Sequence, residues 1–190
     1  MSAANGEQAL AVLVVEDEFF VRYDIASCLR EAGYAVVESE SGEEALALLG
    51  HLGNREEHEF VYALTLENLG ASKLLNDEFE DGIRLIEKAL PSINSPLYMA
   101  EAYIDLCFGY LGLDNLERAS HYGEAALKSA TESRQIRNAH YLLGEVAYKL
   151  GDIELAEFHF DKLAAFYPEF RNLKSLLFAI DLRSMVNPKL

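Results

Sequence analysis

Basic residues are scarce in this chain: 16 Lys and Arg stand against 32 Asp and Glu in 190 residues, a formal net charge of −16. Neither half compensates, because residues 1–52 carry 10 acids and 2 bases while residues 53–190 carry 22 and 14. Phosphate contacts need clustered Lys and Arg, so no nucleic acid is expected as a partner. An anionic membrane surface is disfavoured for the same reason; a neutral or basic protein fits. Cysteine is nearly absent. Cys28 and Cys107 lie far apart in apolar helical contexts, which excludes a disulfide framework or a thiolate metal site and predicts two buried thiols. Long apolar runs are also lacking. Ala9–Val15 is only seven residues long and runs into Glu16, Asp17 and Glu18, so it reads as neither a membrane span nor a signal peptide, and a cytoplasmic location is expected.

Catalytic signatures are missing as well. Gly109-Tyr-Leu-Gly112 falls inside a helical pattern, so it is no phosphate loop. The histidines, at 51, 58, 121, 140 and 159, show no pairing at metal-ligand spacing, and packing is the expected role of His140. No Ser/His/Asp or Cys/His set can be assembled, so no enzyme is expected.

What is present is enough apolar material for a core: 51% of the residues are hydrophobic and 25% charged, as in a folded protein of one or two domains. Ala11–Val15 reads as a strand covered on both faces. Phe19 to Ala32 has helical spacing, with Asp24 outward and Phe20, Ile25 and Leu29 on the apolar side, and Gly33 ends it. Tyr34–Glu38 reads as a second strand. Ser41 and Glu44 form a capping box for a helix whose apolar face is Ala45, Leu46, Leu48 and Leu49. The predicted order is β-α-β-α. Two strands leave an open edge, so this unit docks on the remainder, pairs with another copy through its first strand, or stays partly unfolded.

The pieces VLVVEDE, REAGYAVVES and SGEEALALL together resemble a response-regulator receiver domain of flavodoxin-like fold, truncated after about a third of its length. The resemblance implies bacterial-type two-component signalling, with Glu16 and Asp17 matching the acids that hold Mg²⁺. The family also needs a phosphoacceptor Asp, a Ser/Thr and a Lys on later strands. No Asp occurs between Asp24 and Asp77, and none of the three can be placed. Phosphorelay signalling is therefore the disfavoured alternative. Glu16 and Asp17 are a vestigial metal pair, and Mg²⁺ is expected only if that pair functions.

From about residue 53 the chain repeats itself. Leu69-Gly70, Leu106-Cys107 and Leu143-Gly144 recur at a spacing of 37 residues. Ala89, Ala126 and Leu163 fall in the same register, as do Gly82, Ala119 and Ala156, and Leu66, Tyr103 and His140. Each unit reads as two helices, with small residues where they cross. Arg55–Leu75 reads as the first helix of the array. Pro91, Asn94, Pro96 and Gly151-Asp152 mark turns.

These units resemble the tetratricopeptide repeat. The third, about 137–170, matches best, through Leu143, Gly144, Gly151, Ala156, Phe160 and Pro168; the others span about 63–96 and 100–133. A capping helix is expected at about 171–186, with Leu173, Leu176, Leu177, Ile180 and Met185 inward. The expected fold is thus mainly α: a TPR-like α-α superhelix of three repeats plus a cap, occupying residues 53–190, behind a receiver-like segment at 1–52. The resemblance implies a concave groove lined by the first helices. Its positions project onto Glu67, Ala71 and Leu74, onto Glu101, Ile104, Phe108 and Leu111, and onto Asn138, Tyr141, Glu145 and Tyr148. Aromatic anchors among polar groups suit a peptide or helix ligand. The Lys/Asn clamp with which some relatives hold a terminal carboxylate is missing. The expected function is a non-catalytic scaffold or adaptor.

Overall fold

A computed structural model describes residues 11–51 and 55–163. The expected capping helix and the end of the third unit lie outside the described residues. At the front, β1 (Ala11–Val15) and β2 (Ala35–Ser39) form a two-stranded parallel sheet in which Leu13 pairs with Val37 and Val15 with Ser39. α1 (Phe19–Glu31) connects them, and α2 (Gly42–His51) follows. Gly33, at φ +93°, ends α1: its N–H donates to the Arg30 carbonyl and that of Tyr34 to Leu29, the pattern that closes orphan helix carbonyls. At α2 the cap differs in detail from the expected box. Ser41 Oγ accepts the Glu44 N–H at 3.1 Å, but the Glu44 carboxylate reaches the N–H of Glu40, at 2.8 Å, and the Ser39 hydroxyl.

The apolar face expected of α1 is corrected here. Phe20 is 79% exposed and Ile25 is exposed, whereas Ala26 is buried and Arg22 and Leu29 are half-buried. Two strands cover only a narrow stripe of helix, and half-buried Arg22 and exposed Arg30 pair with Glu38, at 3.9 and 2.7 Å. Cys28 falls on the outer side for the same reason and is exposed, not buried; Cys107 is buried as expected.

Among the described residues six further helices follow: α3 (Arg55–Leu75), α4 (Phe79–Ala89), α5 (Pro96–Gly112), α6 (Leu116–Ser129), α7 (Ser133–Lys149) and α8 (Ile153–Leu163), with a 3₁₀ turn at Leu90–Ser92. They form three hairpins, α3–α4, α5–α6 and α7–α8, each packed on the next. The first helices end at 75, 112 and 149, and the second begin at 79, 116 and 153. The 37-residue register is therefore a register of turns. Asp77 (φ +63°), Asp114 (φ +58°) and Gly151 (φ +80°) take the same left-handed position in each. The next residue's N–H then donates back to the carbonyls of Lys73, Tyr110 and Ala147 respectively. The helices start at Arg55, Pro96 and Ser133, ahead of the unit starts at 63, 100 and 137.

Short residues set the hairpin spacing. A methyl on Gly70 would meet Ile86 Cγ1 at 2.5 Å and the Gly82 carbonyl at 2.9 Å, and one on Gly144 would collide with the Phe160 ring. The core runs continuously through the hairpins, with Leu66, Leu74, Ile86, Leu106, Cys107, Leu111, Val146 and Ala156 among its members. α2 lies against α3: Leu46 packs on this core, and Gly42 sits against Leu69. Among the described residues, no helix is long and apolar enough to cross a membrane.

Candidate functional site

α5 touches both α3 and α7, so the three first helices lie side by side and their register columns form rows. The column Glu67, Ile104 and Tyr141 is buried throughout, Ile104 and Tyr141 belonging to the core. Asn138 and Glu101 share a half-buried column, and Phe108 and Glu145 share another with Ala71. Phe108 packs edge-on against Phe79 of α4, with ring centroids 6.1 Å apart. In the last column Leu74 and Leu111 are buried, while Tyr148 is 44% exposed. Of the residues predicted from sequence, Asn138, Glu101, Phe108, Glu145 and Tyr148 therefore present surface, and Glu67, Ile104 and Tyr141 form the floor beneath it.

Polar contacts stitch this row together. Arg134 of α7 clamps the Glu101 carboxylate through two nitrogens, at 2.6 and 3.2 Å. The fully buried Gln135 donates through Nε2 to Glu101 at 2.6 Å and to the Leu97 carbonyl at 2.9 Å. Its Oε1 accepts the N–H groups of Thr131 and Glu132, closing a capping box at the start of α7. Tyr141 donates its hydroxyl to Glu145 at 2.9 Å.

Sequence reasoning passed over two features. Asp105 lies one position beyond the groove column and bonds to Glu67 across α3 and α5. Burial is the first cause that pushes both carboxyls up, and the neighbouring Glu101 charge adds to it. Asp105, raised well above its ordinary range, keeps its proton and donates to Glu67. The second is a histidine pair. His140, expected to pack, meets His159 across α7 and α8, with their Nδ1 atoms 2.9 Å apart. They sit 19 residues apart on facing helices, a spacing that carries no local signal.

The remaining reactive groups are quiet or remote. Burial, then the Glu145 charge, pushes the Cys107 thiol up to about 12, which leaves it protonated and unreactive. At the front, Glu16 accepts the Glu18 N–H through its own carboxylate at 3.1 Å, and its carbonyl accepts from Arg22. Among the described residues, no three His, Cys, Asp or Glu side chains gather as a metal-ion site. No family model matches the chain, and no curated protein does.

Proposed function

We propose that this chain is a tetratricopeptide-like scaffold that binds a protein partner along the row formed by α3, α5 and α7. The observation that carries the reading is the threefold recurrence of one hairpin, with its left-handed turn residue at 77, 114 and 151. Such repetition aligns first helices into a continuous face, the usual ligand surface of helical arrays. Asn138, Glu101, Phe108, Glu145 and Tyr148 supply its polar and aromatic contacts. The chain carries a net charge of −16, so the partner is a neutral or basic peptide or helix. Catalysis has no part in this reading.

The test is an N138A/Y148A double variant. Both side chains are surface features of α7, so thermal unfolding should shift by no more than about 0.5–1 kcal/mol. Proteins captured by the wild-type chain from its native cells should be lost with the variant. An identical partner set, captured by a variant of unchanged stability, would count against this face.

A further inference from the structure

The 37-residue register brings three different side-chain pairs to one helix crossing. In the column of His140 the earlier hairpins hold Tyr103 and Leu66; in the column of His159 they hold Tyr122 and Leu85. In the first hairpin both positions are leucines, Leu66 buried and Leu85 packed against the core. In the second, Tyr103 and Tyr122 lie with ring centroids 6.0 Å apart. In the third the rings are His140 and His159, 5.2 Å apart. Of these pairs, only the histidines change charge near neutral pH.

Their contact is selective about protons. Two ring nitrogens 2.9 Å apart share a single hydrogen, one donating and the other accepting. One ring can become an imidazolium and still donate. Two imidazolium rings would set N–H against N–H. The closed pair therefore admits at most one added proton, whereas two separated rings each take one below about pH 6.5. His159 is 8% exposed, so solvent does little to soften this conflict. From α8, Lys162 faces His140 and repels a proton; from α6, Glu124 faces His159 and attracts one; α5 contributes no charge that shifts either ring.

We propose that the His140–His159 contact is an acid-labile latch: it holds α8 on α7 near neutral pH and lets the third hairpin open in mild acid, while the first two stay closed. Burial, then the charge of His140, depresses His159 to about 4, and burial, then Lys162, depresses His140. A depressed folded-state value means that the open form binds more protons than the closed one. The closed form is thus fully favoured above about pH 6.5 and loses ground as pH falls toward about 4. Each excluded proton shifts the closed-to-open ratio about tenfold per pH unit.

Hydrogen exchange of the intact chain, read by mass spectrometry and corrected for the pH dependence of intrinsic exchange, tests the latch. Protection of peptides from α8 should fall at least about tenfold between pH 7 and 5 relative to peptides from α4 and α6. In H140L/H159L, which copies the first hairpin, α8 should stay equally protected at both pH values. H140Y/H159Y, copying the second hairpin, serves if the leucine pair does not fold. Constant α8 protection in the wild type, or an equal loss in a folded double variant, would overturn the proposal. Carbon-13 titration of the wild-type rings is an independent check: His159 protonating at the value of a free histidine would overturn it as well.

Discussion

Gly70 and Gly82 face each other across the first hairpin with no room for a methyl on either. Gly70→Ala should therefore lower stability by about 1–3 kcal/mol despite the better helix propensity of alanine, seen as a lower Tm. Gly50, also helical, has nothing within 4 Å of the place a methyl would occupy, and Gly50→Ala should raise stability by up to about 1 kcal/mol. The turn residues give the opposite lesson. Asp77 holds φ +63° where the third hairpin has glycine, so Asp77→Gly should raise the Tm by removing strain of about 1 kcal/mol. A drop in Tm would show that the Asp77 side chain does more than tolerate the turn. The glycines were legible in the sequence because close packing recurs at a fixed period. The Asp77 and Asp114 turns were not, because aspartate at a left-handed position resembles any surface aspartate; only alignment with Gly151 distinguishes them.

Between elements, buried charge decides how the helices respond to pH. The Glu67–Asp105 pair joins α3 to α5 with both carboxyls raised, burial being the first cause. A raised folded-state value means that the fold holds a proton which the unfolded chain releases. The pair's stabilisation is fully present below the ordinary carboxyl values and is lost as pH rises through the raised ones. Asp105→Asn keeps a donor toward Glu67 at every pH. Its Tm should gain on that of the wild type as pH rises from about 4.5, a comparison in which the histidine contribution cancels. A Tm difference that does not vary with pH would mean that the two carboxyls are not coupled. α3 at Arg55–Leu75 coincides with its sequence reading, because apolar periodicity and turn chemistry are local, whereas α5 and α7 begin four residues ahead of the unit starts read at 100 and 137. Which acid meets which was not readable. Asp105 sits beside the groove column instead of in it, and Glu67 turns inward with Ile104 and Tyr141 because their column faces the adjoining helices.

At the scale of the molecule, the front unit adopts one of the three arrangements its sequence leaves open: α2 lies on α3 through Leu46, Gly42 and Leu69. Leu46→Asp should break this contact. Limited proteolysis should then cut residues 11–51 faster while the three hairpins resist as before; equal resistance in wild type and variant would mean that the docking carries little energy. The order β-α-β-α and the three hairpins were legible from period and punctuation, but the docking was not, since it joins faces that no sequence pattern pairs. Whether the aligned first helices receive a protein partner is open to direct test by site-specific photocrosslinking in the native cells. A photoreactive residue is placed at Asn138 or Tyr148 on α7, and at Arg84 or Lys128 on the exposed sides of α4 and α6. The α7 positions should yield one set of crosslinked partners, and the other two positions none of them. Crosslinks to the same partners from Arg84 or Lys128, with none from α7, would contradict a partner seated on the first helices.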